Sequence, residues 1–329
     1  DAVRRSYGQG CKSSGPLVKR WSYLAPPTAR ANREAVPPLM QEAYDFAAST
    51  KLAAARRGVS VDPMPDYLPL TDRGGPAVRR GYTDSRFGQL HYRFAGPTVP
   101  SDKPALVMLH QNPSSSQEYL PLIAEMARDR MVYAFDTPGN GMSDTPPGPQ
   151  PLSELAGAFA EGMEALGLGV ERPVDVFGYH SGTYLCTELA LAAPTRVGRV
   201  IVSGLPMRSP EERAENLAKA HAVTLPEENG DDILNWLRWL WDFTVVNRLP
   251  GADFEQAVWT FRDKAAAMHR RAWTYVGVWS YDAEARLPLV QQPVLVLQPH
   301  EALLDVSRAA ASLFPDARFE ELPGLSRDV

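Results

Sequence analysis

A histidine at the centre of a glycine-flanked turn is the residue in this sequence best placed to do chemistry. The segment GYHSG, residues 178–182, joins an apolar strand pattern to an apolar helical pattern. A sharp strand-to-helix turn aims its central side chain outward and leaves room only for small residues on either side. Glycine fills both flanking positions when His180 is central, whereas a turn centred on Ser181 would place Tyr179 and Thr183 there. We therefore expect His180 at the tip.

An imidazole in this position has two chemical roles open to it. The positive end of the following helix dipole disfavours imidazolium, so we expect a neutral ring that acts as a general base or as a nucleophile. Either role is stronger with a carboxylate that orients the ring. The loop after the apolar run 294–298 supplies two candidates, Glu301 and Asp305, and the sequence leaves both open.

Two further histidines are expected near the same place. His110 follows the apolar run 105–109, and His300 lies in the same loop as Glu301. Three imidazoles close together would suggest a metal site, but their spacing matches no standard ligand motif. We expect neither a metal nor a cofactor.

The elements that would position these residues are those of an α/β protein. Short, continuously apolar runs, typical of strands buried on both faces, are separated by amphipathic helical patterns. They predict a mostly parallel central sheet covered by helices on both faces, with an antiparallel hairpin over 78–95 at its edge. Ligand crevices of such sheets lie at the carboxyl ends of the strands, where His110 and His180 stand.

Changes of pattern divide the chain into four segments. Residues 1–75 are predicted to form an N-terminal extension, with a disordered arm, one helix and a linker. Residues 76–204 form the first part of the core. Residues 205–290 carry helical patterns and six of the seven tryptophans, which indicates an inserted helical cap. Residues 291–329 return to the core, without the expected last helix.

Three segments together are similar to the motifs of the α/β-hydrolase superfamily. LHQNPSSS (109–116) resembles its H-G-x-P oxyanion loop, DTPGNGMSD (136–144) resembles its D-x-P-G-x-G-x-S-D loop, and GYHSG resembles its nucleophile elbow. The similarity extends over about 76–329 and is nearest to the capped branch of haloalkane dehalogenases and epoxide hydrolases. It implies the α/β-hydrolase fold with a helical cap, and a hydrolase acting on a small molecule.

The resemblance also implies roles for individual residues. In the family, two backbone N–H groups form an oxyanion hole, and their positions here are Ser181 and Gln111. Asn112 matches the halide-binding asparagine of dehalogenases, but Ser181 replaces its partnering tryptophan, which disfavours dehalogenation. The tryptophans of the cap have core packing as an alternative to lining the cleft. Five side chains are expected at the substrate: His110, Asn112, His300, Trp236 and Trp239.

All three positions of the family's usual catalytic triad are changed. His180 replaces the nucleophile, Ala302 stands at the acid position, and Arg327 replaces the general-base histidine. Two functions follow. The protein is an enzyme for a small apolar or aromatic ester, lactone or related substrate, with His180 as base or nucleophile. Alternatively, it is a catalytically inactive member that binds a small ligand or a protein partner.

Composition narrows the partners and the compartment. The 329 residues are 44% apolar, with a formal net charge of −5, so the chain has no overall attraction for nucleic acid or an anionic membrane. Its two cysteines fit a reducing compartment. The sequence contains no apolar run long enough to span a membrane and no recognisable signal peptide. We expect a cytoplasmic protein, and the oligomeric state is left open.

Overall fold

An eight-stranded sheet forms the centre of the computed structural model, which describes residues 75–248 and 253–323. Its strands lie in the order β1-β2-β4-β3-β5-β6-β7-β8. Antiparallel pairing is confined to β1 with β2 and β2 with β4, and every other neighbouring pair is parallel. The strands are β1 (Arg79–Ser85), β2 (Gly88–Ala95), β3 (Leu106–Leu109), β4 (Val132–Phe135), β5 (Val174–Tyr179), β6 (Val197–Ser203), β7 (Val294–Pro299) and β8 (Ala317–Leu322).

Helices cover this sheet on both faces, as the sequence predicts. Alternate residues of a strand point to opposite faces, and the buried side chains accordingly form two clusters. One cluster packs strand residues such as Val107 against α2 (Leu152–Ala165), α3 (Ser181–Ala192) and α9 (Leu304–Ala311). The other packs residues such as Met108 against α1 (Leu120–Met126). The predicted fold class is therefore confirmed.

The helical segment between β3 and β4 is divided in two. A 3-10 turn, Ser116–Tyr119, is capped by the Ser115 hydroxyl, which accepts from the Gln117 N–H. The α-helix α1 follows, with Pro121 in its first turn. Proline fits the start of a helix because the first N–H groups have no partner within the helix.

The described part of the segment between β6 and β7 contains helices and connecting loops but no strand. The first, α4, has Ser209 as its N-cap in a capping box, in which the Ser209 hydroxyl accepts from the Glu212 N–H while the Glu212 carboxylate accepts from the Ser209 N–H. The helices are α4 (Pro210–His221), α5 (Asp231–Trp241), a π-turn (Asp242–Val246), α6 (Phe254–Ala265), a 3-10 turn (Met268–Ala272), α7 (Trp273–Trp279), α8 (Ala283–Arg286) and a 3-10 turn (Leu287–Leu289). We call this region the cap.

Some predictions fall outside these ranges. The predicted arm, helix and linker of residues 1–75 lie outside the described residues except for Gly75. The changed base position, Arg327, also lies outside them. Among the residues that the structure does describe, no helix is both long and apolar enough to cross a membrane.

Candidate active site

The turn between β5 and α3 places His180 at its tip. Its backbone has φ 45° and ψ −116°, a conformation that residues other than glycine rarely adopt. Its N–H donates to the carbonyl of Ser203 at 2.9 Å, and its carbonyl accepts from the Thr183 N–H at 2.9 Å. A side chain at Gly178 or Gly182 would overlap neighbouring backbone atoms. The two glycines therefore allow the tight turn that holds His180 forward.

Three groups surround the imidazole of His180. The Tyr179 ring stacks on it, with centroids 4.1 Å apart and planes 18° from parallel. At another side lies Gly204, where an added Cβ would fall 2.8 Å from Nε2 and closer still to Cδ2. Oε1 of Glu301 lies 3.5 Å from Nε2. The side chain is 26% exposed although Nε2 itself is buried, so solvent reaches another part of the side chain.

Glu301, rather than Asp305, is the carboxylate that faces His180. Asp305 lies exposed in the first turn of α9, and Ala302 at the family's acid position is also exposed. Burial raises the pKa of Glu301, but the His180 imidazole and the Gln298 amide outweigh that effect and hold it below its ordinary value. The carboxylate is therefore ionised at neutral pH, and it can only accept a hydrogen bond.

The loop after β3 presents the N–H of Asn112 to the elbow, not that of Gln111. The Gln111 N–H donates to Oε1 of Glu118 at 2.9 Å, and the Asn112 N–H donates to Oγ of Ser181 at 2.7 Å. This differs from the sequence-based assignment of Gln111 to the oxyanion hole. The reason is that Glu118, in the 3-10 turn of the same loop, draws the Gln111 amide toward itself.

Asn112 is held by the cap as well as by the elbow. Its Nδ2 donates to the carbonyl of Arg271 at 2.6 Å, and its own carbonyl accepts from the Tyr275 hydroxyl at 2.7 Å. Its Oδ1 accepts from Nδ2 of Asn140 at 3.3 Å. The predicted contact between this side chain and substrate is therefore replaced by contacts within the protein.

Helix α6 of the cap reinforces the same loop. Asp263 accepts from the N–H of Ser115 at 2.8 Å and from its hydroxyl at 2.5 Å, and Nζ of Lys264 donates to the Ser114 hydroxyl at 3.0 Å. Burial raises the pKa of the Asp263 carboxyl despite the hydrogen bonds from Ser115. The cap and the loop after β3 thus form one hydrogen-bonded unit, which we call the clamp and define by Ser114, Ser115 and Asn112 on the loop and by Asp263, Lys264, Arg271 and Tyr275 on the cap.

His110 is a buried connector between loops. The Thr137 N–H donates to its Nε2 at 2.9 Å, so Nε2 carries no proton, and its Nδ1–H donates to the Gln111 carbonyl at 2.7 Å. Burial lowers the pKa of His110, in keeping with a neutral ring. With both nitrogens engaged and the residue 1% exposed, His110 does not meet the expectation of a substrate contact.

Asp136, at the start of the loop after β4, accepts three hydrogen bonds from neighbouring segments. It accepts from Nδ1 of His91 at 2.8 Å, from the Ser116 N–H at 2.7 Å and from the Met142 N–H at 2.8 Å. Burial raises the pKa of Asp136, but the hydrogen bonds and the nearby histidines outweigh that effect and lower it to about 2. The sequence pointed to this loop but not to the partner on β2.

The remaining predicted contacts are scattered. The His300 side chain is 43% exposed and pairs with Glu321, with Nε2 3.0 Å from Oε2. Trp239 is 58% exposed and stacks on Phe243, while Trp236 lies beneath the Arg271 guanidinium, 4.5 Å from its ring centroid. Within 75–248 and 253–323, no three His, Cys, Asp or Glu side chains form a group suited to a metal ion.

A cavity in the described region lies away from the elbow. It measures about 450 Å³ and opens between the start of α2 and cap helix α7, with Glu188 and Arg286 in its wall. The Arg286 guanidinium holds the Glu188 carboxylate through two hydrogen bonds of 2.8 Å, and the Tyr281 hydroxyl adds a third. Neither His180 nor Glu301 lines this cavity.

The family is shown by a sequence model for the alpha/beta hydrolase fold, which matches residues 104–325. The chain belongs to this family. Among curated proteins, it is 27% identical to the "Uncharacterized carboxylesterase nap" of Bacillus subtilis (strain 168) over 252 residues, 73% of this chain and 77% of that protein. It is 32% identical to "Carboxylesterase YbfK" of the same organism over 123 residues, which span 37% of this chain and only 39% of YbfK.

Solved structures of α/β-hydrolase proteins agree with the fold. The enol-lactonase from Burkholderia xenovorans LB400 superimposes with a TM-score of 0.60 at 20% identity, over 74% of this chain and 91% of that one. The naproxen esterase from Bacillus subtilis gives a TM-score of 0.54 at 21% identity, over 80% of this chain and 88% of that one. At these identities the similarity establishes the fold of the α/β-hydrolase core.

Proposed function

We propose that this α/β-hydrolase hydrolyses a small carboxylic ester or lactone by base catalysis, with His180 as the base and Glu301 as the group that orients it. The observation that carries the proposal is the pairing of the elbow-tip imidazole with a buried carboxylate, Nε2 to Oε1 at 3.5 Å. That distance exceeds a formed hydrogen bond, but catalytic contacts are often long in ligand-free sites and shorten around substrate. The similar proteins named carboxylesterase and enol-lactonase support an ester or lactone as substrate.

The proposed reaction needs no serine. A neutral imidazole takes a proton from water while the hydroxide attacks the substrate carbonyl, and the tetrahedral intermediate then expels the alcohol oxygen, which takes the proton from the ring. A second route, attack by the ring itself, would form an acyl-imidazole that water then hydrolyses. The two routes differ in whether alcohol is released in a burst before steady state.

Stabilisation of the intermediate would come from the start of α3. The Ser181 N–H is among the first N–H groups of that helix, which have no acceptor within the helix. The Ser181 hydroxyl accepts from the Asn112 N–H at 2.7 Å and retains its own proton to donate. An oxyanion beside the tip would therefore accept hydrogen bonds from the Ser181 N–H and from the Ser181 hydroxyl. The oxygen of that hydroxyl in turn accepts from the Asn112 N–H.

One observation favours a second candidate, an inactive member that binds a small ligand. The Asn112 N–H already has an acceptor, Oγ of Ser181, so this donor does not stand open for an oxyanion. A site that has lost its serine and has filled one oxyanion donor could hold a ligand without transforming it.

Rates on a panel of nitrophenyl esters and a lactone separate the two candidates. We expect His180→Ala and His180→Ser to lower kcat/KM by about 100-fold or more, the usual contribution of a general base. His221→Ala, on the exposed end of α4, is the matched control and should leave the rate unchanged. If wild type and His180→Ala have the same rate on every substrate while a ligand still binds, the inactive candidate is correct.

A further inference from the structure

We propose that the nitrogen of His180 that takes the proton is Nδ1, because Gln298 and Glu301 hold the ring proton on Nε2, and that Gln298 is a positioning residue for this arrangement. The inference rests on the proposed function for its chemical step. Its structural half, the position of the ring proton, stands without any substrate.

Gln298, at the end of β7, has a fully buried side-chain amide. A backbone N–H can only donate, and the Gly204 N–H lies 3.1 Å from Oε1 of Gln298. The amide oxygen must therefore face Gly204, which turns Nε2 of Gln298 toward the Pro299 carbonyl and Oε1 of Glu301, each at 3.0 Å. Both of these oxygens accept, so the orientation of the amide satisfies every partner.

The amide in turn fixes the Glu301 carboxylate. Oε1 of Glu301 receives the Gln298 N–H and is also the oxygen nearest to His180, with Nε2 at 3.5 Å. An ionised carboxylate has no proton to give, so a neutral imidazole facing it must present N–H from Nε2. Nε2 is buried and has no hydrogen-bond partner within the described ranges, so the carboxylate beside it is the acceptor its proton would find.

The ring cannot easily turn over to exchange its nitrogens. Tyr179 covers one face at a centroid distance of 4.1 Å, and the Cδ2–Nε2 edge lies against Gly204, where even a single added carbon would overlap it. Nδ1 is therefore the nitrogen that keeps a free lone pair. In the proposed reaction, water gives its proton to Nδ1, hydroxide attacks the carbonyl carbon, and Nδ1–H returns the proton to the departing alcohol oxygen.

The arrangement is tested by ¹⁵N NMR of protein labelled at histidine, because protonated and unprotonated ring nitrogens have distinct shifts. We expect wild-type His180 to carry its proton on Nε2. Glu301→Gln and Gln298→Met should each reduce the ratio of the Nε2–H to the Nδ1–H form by about tenfold, the effect of losing or weakening one charge-assisted hydrogen bond. Gln292→Met is the matched control, since that buried glutamine donates to the carbonyls of Ala190 and Pro194.

The outcomes separate this inference from the proposed function. A proton on Nδ1 in the wild type, or an equal change of ratio in Gln292→Met, would overturn the inference even if the protein hydrolyses esters. The expected spectra together with no hydrolysis would refute the proposed function while the proton position stands. With an active protein, Gln298→Met should lower kcat with little change in KM, because Gln298 acts through Glu301. Unchanged kcat would remove its positioning role.

Discussion

Replacing Gly204 by alanine tests where the imidazole of His180 lies without the need for a substrate. Gly204 has φ +71°, and its missing Cβ would fall 2.8 Å from Nε2 of His180 and closer to Cδ2. The left-handed backbone costs a residue with a Cβ about 1–2 kcal/mol. Overlap with a packed side chain adds about 1–3 kcal/mol. We therefore expect Gly204→Ala to lower the free energy of unfolding by about 2–5 kcal/mol.

Two further variants separate the backbone cost from the overlap. Gly167 also has a positive φ, +67°, but an added Cβ there would meet nothing within 4 Å, so Gly167→Ala should cost only the backbone share of about 1–2 kcal/mol. Combining Gly204→Ala with His180→Ala removes the ring that the new methyl group meets. In that background the cost at Gly204 should fall toward the Gly167 value, with only the 3.2 Å approach of the new methyl group to Oε1 of Glu301 remaining, a coupling of about 1–3 kcal/mol.

The assay is urea unfolding at neutral pH, followed by tryptophan fluorescence, for wild type, the single variants and the double variant. An equal cost of Gly204→Ala with and without the His180 ring would refute the placement of the imidazole against Gly204. The ring orientation inferred for the reaction would then lose its geometric basis.

Three other variants, one of them a control, test the loops that hold the site. The fall in the pKa of Asp136 from 3.8 to about 2 corresponds to about 2 kcal/mol of stability, which is present above pH 4 and lost as the pH falls toward 2. In urea unfolding, Asp136→Asn should therefore be clearly less stable than wild type at pH 7 and closer to wild type at pH 3. A difference in stability that does not change with pH would contradict this. Tyr275→Phe removes the hydroxyl that holds Asn112 and should cost about 1 kcal/mol and also lower kcat. Tyr281→Phe, which loses a hydroxyl bond to Glu188, should lower stability alone, and equal kinetic effects of the two would argue against a role for the clamp.

The sheet and the tip of the elbow could be predicted because each depends on local pattern. Continuously apolar runs indicate strands buried on both faces. The glycines at 178 and 182 flank His180 symmetrically, which identifies it as the residue at the tip of the turn. The assignments that changed depend on the path of a loop. Whether Gln111 or Asn112 presents its N–H to the elbow is decided by Glu118, a competing acceptor whose position no spacing rule gives.

Side-chain direction explains the other differences. Glu301 and Asp305 are four residues apart, and only the length of the loop after β7 decides which one meets His180. Trp239 belongs to an amphipathic helix pattern, yet it stacks on Phe243 at the surface, because a tryptophan at a given helical position can pack toward its own helix as readily as over a cleft.

The clamp has a consequence for how this site could be changed. The cap donates or accepts each of its bonds to Ser114, Ser115 and Asn112 through residues on α6, the 3-10 turn after it and α7. A cap taken from another α/β-hydrolase would lack residues equivalent to Asp263 and Tyr275 in the same positions. The loop after β3 would then lose the hydrogen bonds that these residues make to Ser115 and Asn112. Cap and core in this protein are therefore one unit for engineering, and substrate range is better altered by single substitutions within the cap than by exchange of the whole segment.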